Sequence, residues 1–337
     1  MAGPKGTTMA TMQNAVPTAK TDWRGIILRI IGNREIFLVI FIIIFGFIAS
    51  RFTPYFLNID NFRQILIAIA LDGTVAVGMT IVLVGGGIDL SVGSIIGLSS
   101  AIIGLSFKSG LGILPALVLA VAVGVLVGVI NGILISYVKI NPIITTLAFM
   151  GIARSATYIV SGGYAFSSIP ANFVAFAAGS VLNIPNTAIV ALVCVIVFHF
   201  LLKRSVILRK YFYIGGNEAA AFKAGIRVNI YKFMSYVIVA AFSALAAILL
   251  VSRLGSTFPH SGLGTELRVI SACIIGGCSM SGGKGTVLGA FLGVLLLGLI
   301  SNILVLLNVS VYWQGIATGI ILVLAVASDA LIADARK

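Results

Sequence analysis

Asp89 carries the most demanding chemistry in this sequence. It lies in an apolar stretch, Val84 to Ile96, with no other charged residue nearby in sequence. An ionised carboxylate in such surroundings is costly unless something satisfies it. The glycines around it release the backbone from regular helix. Asp89 can then cap the start of the following helix, with Ser91 assisting. It can also meet a passing hydroxylated solute, or serve in a proton or sodium relay with Asp72 and Arg154. The other polar residues set inside apolar segments are Thr80, Asn131, Asn141, Thr145, Thr146, Ser301 and Asn302. Such groups either line a hydrated path or hold helices together, at roughly 0.6 kcal/mol per hydrogen bond. Asn141-Pro142 also has the form of a helix start.

Other chemistries find little footing. His199 and His260 are far apart and lack metal-ligand spacing, and Cys194, Cys273 and Cys278 are an odd number lying in or beside apolar segments. Neither a metal site nor a disulfide framework is expected; the cysteines read as small apolar residues. The glycine-rich stretch 276–285 fails as a phosphate loop. That pattern needs glycine where Cys278 stands and Ser or Thr where Gly285 stands. No nucleophile, base and orienter occur together, so catalysis and a cofactor of the chain's own are not expected.

The elements that hold these residues belong to a membrane protein. The chain has 337 residues, of which 60% are hydrophobic and 9% charged. A soluble domain carries roughly 25% charged residues, so lipid is the solvent expected around most of this surface. The net charge of +13 sits in short polar segments, chiefly 1–34 and 203–232. That is a positive-inside pattern and not a nucleic-acid footprint.

A spanning helix needs about 20 apolar residues. The expected all-α bundle has about ten segments: 35–50, 62–84, 88–107, 112–136, 142–160, 187–202, 233–252, 267–280, 286–308 and 311–332. Eight is the alternative if 88–107 and 267–280, both bordering glycine-rich sequence, are re-entrant. The first and sixth are short and must borrow flanking residues. Six segments precede the second basic region and four follow it, so both basic regions and the tail Arg336-Lys337 fall on one side. The first run reads as an uncleaved anchor. The predicted organisation is a basic tail (1–34), a permeation domain (35–332) with halves 35–202 and 233–332 around a polar loop 203–232, and a tail 333–337.

An internal repeat supports two related halves. Gly86-Gly87-Ile88-Asp89-Leu90-Ser91, followed by Gly93, Ser94 and Gly97, is matched by Gly276-Gly277-Cys278-Ser279-Met280-Ser281 and, after two extra residues, Gly285, Thr286 and Gly289. Transporters built from paired halves break their helices at matching positions. Glycine ladders at 124, 128, 132 and at 285, 289, 293 predict close helix contacts in lipid.

The polar loop holds the clearest local signal. Asn217 can cap a helix that opens with Glu218, propagates through Ala219, Ala220 and Ala221, passes Phe222, Lys223 and Ala224, and ends at Gly225 before Ile226. A stub of two turns suits docking into a groove on a soluble partner; a plain connection is the other reading.

The Gly86 to Ser94 motif, the loop Ile214-Gly215-Gly216-Asn217-Glu218-Ala219-Ala220 with Ala224-Gly225-Ile226, the stretch Gly262-Leu263-Gly264-Thr265-Glu266-Leu267, and the run Ile275-Gly276-Gly277 to Gly283-Lys284-Gly285-Thr286 occur in that order. Together they resemble the ribose-type branch of ABC importer permeases over roughly residues 35–330. Cys278 stands where that family usually has threonine or alanine, and Met280 where leucine is common. The resemblance implies a multi-pass protein of the bacterial inner membrane with cytoplasmic termini. It implies a second permease subunit (identical or a paralogue), a cytoplasmic ATPase that holds ATP and Mg, and a periplasmic or lipid-anchored binding protein that delivers a small neutral sugar. Gly215 to Ile226, Lys223 included, would dock the ATPase. Gly86, Gly87, Asp89, Ser91, Gly93, Ser94, Asn141, Gly276, Gly277, Ser279 and Asn302 would shape the path. Nucleosides or a furanosyl signal molecule are alternative cargoes within the family, and an ion-coupled secondary transporter is the alternative outside it.

Overall fold

In the computed structural model, residues 34–310, 312–317, 319–320, 323–324 and 327 are described, together with Gly3. The tails 1–33 and 333–337 and much of the segment 311–332 lie outside the described residues. The chain forms α1 (Arg34–Phe52), α2 (Ile59–Val84), α3 (Val92–Lys108), α4 (Ile113–Ser136), α5 (Pro142–Ser161), the short α6 (Ala171–Ala178), an antiparallel pair β1 (Ser180–Val181) and β2 (Ile184–Pro185), then α7 (Asn186–Arg204), α8 (Val206–Gly216), α9 (Glu218–Lys223), α10 (Val228–Leu254), α11 (Thr265–Ile275) and α12 (Val287–Leu306).

Among the described residues, seven helices are long and apolar enough to cross a membrane: α1, α2, α4, α5, α7, α10 and α12. The short segments did borrow flanking residues, since α1 and α7 each reach 19. Segment 88–107 starts its helix only at Val92, and α3 has 17 residues. Segment 267–280 is corrected more sharply. It forms an 11-residue helix, about 16 Å long, against a hydrocarbon core of about 30 Å, so α11 does not span alone. The count of ten treated α11 as a span because its composition is that of one.

The core is built on α2 and α10. Every residue from Gly73 to Gly85 is buried, and α10 packs most extensively on α4 and α2. Gly124, Gly128 and Gly132 admit this approach: added carbons there would meet Ala244, Ala240 and Phe233 of α10. Gly289 and Gly293 bring α12 onto the backbone of α11 in the same way. At the periphery, α1 buries only Leu38 and Ala49 and turns Ile43, Ile44 and Phe47 outward, as a lipid-facing helix does.

The two glycine-broken turns share one geometry. At the end of α2, Gly86 (φ +79°) donates its N–H to Leu83 O and Gly87 donates to Val82 O. At the end of α11, Gly277 (φ +99°) donates to Ile274 O and Cys278 to Cys273 O. Both are Schellman caps. They align Gly85-Gly86 with Gly276-Gly277, one residue earlier than the sequence frame of Gly86-Gly87. The chain re-enters helix with Ser91 as N-cap of α3 and with Thr286, whose hydroxyl accepts from Gly289 N, as N-cap of α12.

Candidate coupling and translocation site

The short helix of the polar loop forms as its sequence predicts. Asn217 Oδ1 accepts from Ala220 N at 2.9 Å, and Glu218 opens the helix where the dipole favours an anion. Gly225 closes it at φ +81°, donating to Phe222 O, while Ile226 N donates to Ala221 O. Ala221 is buried against Ile214 and Val228, which seats the stub on α8 and α10. Gly216, Asn217, Glu218, Ala219, Ala220, Lys223, Ala224 and Gly225 face outward, with Ile226 half-buried. Glu218 also pairs with Lys232 of α10. Phe222, inside the stretch assigned to docking, is 71% exposed at the tip. An exposed aromatic on a rigid stub has the character of an interface anchor.

Helix α8 connects this stub to the membrane helices. Tyr211 packs with Ile81 and Val84 of α2. Gly215 lies directly on backbone: an added carbon would overlap Val84 O and Gly283 N. Gly86 faces the Gly215 Cα, and added carbons at Gly282 and Gly283 would stand 2.9 Å from Gly215 and Gly216 atoms. Gly283 N donates to Val84 O at 2.9 Å. One point in the molecule therefore joins the base of the α9 stub, the first glycine break and the second. Gly282 and Gly283 are the two extra residues of the repeat; their partners lie 67 residues away at Gly215 and Gly216 and 199 residues away at Val84.

The first break is closed around Asp89. Its Oδ1 accepts from Ser91 N at 2.7 Å and from Ser91 Oγ at 2.6 Å, and Asn131 Nδ2 donates to Ser91 Oγ at 3.0 Å. The capping reading is modified, because Asp89 holds the residue before the helix and Ser91 itself is the N-cap. Asp89 Oδ2 and Asn131 Oδ1 are buried with no hydrogen-bond partner among the described residues. Asp89 is 0% exposed, so no solute reaches it in this conformation. Gly87 abuts the Tyr236 hydroxyl, and Gly93 packs on Gly262 O and the Glu266 carboxylate. Arg154 donates to Gly93 O, Pro259 O and Ser261 O, and Ser94 is buried beside them in the sequence. The proposed relay is therefore not assembled: Asp72, Asp89 and Arg154 have three separate sets of partners.

Asp72 lines a cavity of about 470 Å³ between α2, α10, α11 and α12. Arg268 donates to both Asp72 oxygens, at 2.9 and 3.2 Å. Gln64, Arg253, Ser301 and Asn302 add polar groups to a wall otherwise made of Ile65, Ile69, Leu71, Val294 and Leu297. Asn302 exchanges amide hydrogen bonds with Asn61, at 2.8 and 3.1 Å. A concave apolar wall with a few convergent polar groups is the usual form of a small-molecule site. Asn141 stands apart from all of these: its Oδ1 accepts from Ile143 N at 2.9 Å and caps α5. Gly276 packs on Gly289 O, Gly277 lies under Arg34, and Ser279 shapes the second break by donating its N–H to Lys284 O.

A family model described as branched-chain amino acid transport system / permease component matches residues 61–326. The chain belongs to this permease family. The ribose import permease protein of Bacillus subtilis is 39% identical over 295 residues, covering 87% of this chain and 91% of the relative. The L-arabinose transport system permease protein of Escherichia coli is 38% identical over 296 residues, covering 87% and 89%. The ribose import permease protein of Haemophilus influenzae is 36% identical over 286 residues, covering 84% and 88%. No solved structure is significantly similar. The permease is a transport component and not an enzyme, and it is a multi-pass membrane protein.

Sequence reasoning missed three polar residues of the permease cavity: Gln64, Arg253 and Arg268. Each was absorbed into a helix end or a loop when spans were drawn by hydropathy. A usable signal existed for one of them: Arg268 falls one turn after Gly264, inside a segment read as spanning, where an arginine demands a partner. The partner, Asp72, is 196 residues away in sequence.

Proposed function

We propose that this permease forms half of the membrane pathway of an ATP-driven importer for a small neutral sugar, ribose or a related monosaccharide. The observation that carries the reading is the capped stub α9, exposed at its tip and rooted through Gly215 on both helix breaks. A second permease subunit, identical or a paralogue, completes the path. A cytoplasmic ATPase holds the ATP and Mg, and an external binding protein delivers the sugar. Both termini and α9 lie in the cytoplasm, in keeping with the basic residues around the stub.

In this scheme ATP binding closes the ATPase halves and displaces α9. Because α9 and α8 meet at Asn217, the displacement reaches Gly215 and there the ends of α2 and of the second break. The cavity beside Asp72 and Arg268 receives the sugar. Its hydroxyls suit the Gln64 and Asn302 amides and the polarised Asp72–Arg268 pair. Affinity in the path can stay weak because the binding protein supplies it.

The test is ATP-dependent uptake of labelled ribose and arabinose into vesicles holding the permease, its ATPase and its binding protein. Uptake by the permease alone would overturn the reading. Phe222→Ala should weaken ATPase association by about 2 kcal/mol, near thirtyfold, read by co-purification and titration. Glu218→Lys should weaken it less and leave insertion intact, because its pairing with Lys232 is half-exposed and worth about 0–1 kcal/mol. Unchanged association in both variants would remove α9 as the docking element.

A further inference from the structure

On the side of the permease where α8 lies, a second cavity of about 480 Å³ opens among the first turn of α1, the last turn of α7 and the start of α12. Three apolar spanning helices end there, which sets it at a membrane–water boundary. Arg34, Lys203 and His199 converge on it from positions far apart in sequence, and Phe212 of α8 closes one side. Neither Arg34 nor Lys203 has a hydrogen-bond or ion-pair partner among the described residues. Glu35 is the one carboxylate in the lining, and it accepts from the Thr286 hydroxyl at the α12 cap.

Arg34 also heads a contiguous apolar groove of about 300 Å³, formed by Phe37, Leu38 and Phe41 of α1 with Ile274, Ile275 and Leu296. A cationic chamber at the boundary, opening through one shared residue onto an apolar slot along a spanning helix, has the shape and polarity of a phospholipid. A free phosphate has no use for the slot, and a zwitterionic headgroup gains less from two cations that have no ion-pair partner among the described residues. Basic pockets between helices on the cytoplasmic side are where anionic headgroups bind. We propose that this paired cavity and groove holds one anionic phospholipid, its phosphate between Arg34 and Lys203 and an acyl chain along Phe37, Leu38 and Phe41. Gly276, Gly277 and Gly285 of the second break line the same chamber, so the lipid would brace the break that Gly215 contacts.

The test uses the full chain in complex with its ATPase, in nanodiscs of phosphatidylglycerol or phosphatidylcholine, with retained lipid counted by native mass spectrometry. Phosphatidylglycerol should be retained and phosphatidylcholine not. Lys203→Ala, at an exposed position that folding tolerates, should weaken retention about fivefold, and adding Arg34→Ala about fivefold more. Lys203→Arg should restore it. Soluble glycerol phosphate should not displace the lipid. Equal retention of the two lipids, retention unchanged in the double variant, or displacement by glycerol phosphate would each overturn the proposal. None of these readouts depends on which sugar is carried or on where the ATPase docks.

Discussion

The two glycine breaks begin with the same cap and end in different surroundings. The first runs from Gly85 to Ser91 and closes over a buried carboxylate. The second runs from Gly276 to Thr286, carries a longer loop, and leaves Met280 and Ser281 at the surface. The first is pinned by Asp89, Ser91, Asn131 and Tyr236; the second touches α8 through Gly282 and Gly283 and faces the chamber headed by Arg34. One local signal thus serves a fixed turn in one half and a more accessible turn in the other. The difference arises from the neighbours, since the caps themselves superimpose hydrogen bond for hydrogen bond.

The strongest way to break this contrast is Gly215→Ala, which strikes both turns at once. Overpacking costs roughly 1–3 kcal/mol where neighbours can shift. Here the overlapped atoms, Val84 O and Gly283 N, are backbone, so the loss should reach the top of that range. Transport should collapse while the ATPase still co-purifies. Gly151→Ala, where nothing lies within 4 Å of the added carbon, should transport normally. Equal transport by the two variants would show that the junction transmits nothing.

A smaller effect is expected within the first turn alone. Asp89→Ala strands the Ser91 N–H and hydroxyl and should cost about 1.5–3 kcal/mol, seen as a lowered melting temperature in detergent. Asp89→Asn keeps an acceptor at Oδ1 and should cost less than half as much, with transport retained. Loss of transport in Asp89→Asn at wild-type stability would revive the proton relay. The smallest effect belongs to the second turn, where Ser281→Ala and Met280→Gln should stay within about 0.5 kcal/mol. A large loss there would erase the distinction between a fixed and an accessible break.

How much was legible follows the range of the forces. The stub α9 was readable because its cap, dipole charge and terminating glycine lie within ten residues. Helix α8 was not, because it lies in a basic loop with Arg209 and Lys210 at its centre, and only the burial of Tyr211 against α2 gives it a place. The count of ten is not confirmed at α11, whose 11 residues fit the alternative in which 267–280 is re-entrant; hydropathy does not tell a half-length buried helix from a spanning one. The repeat was visible, but its register slipped by one. In Gly85-Gly86-Gly87 only the backbone angle shows which glycine is left-handed.

Composition, periodicity and capping residues were enough to specify a lipid-embedded helical bundle with two glycine breaks and an exposed, capped helical stub, because these depend on solvent and on contacts within a turn or two. Tertiary structure alone decided that Asp72 meets Arg268, that Gly215 rests on both breaks, and that Arg34 and Lys203 face one chamber. Those pairings join residues separated by 67 to 196 positions, and chain-local energetics carries no information about which distant surfaces will be brought together.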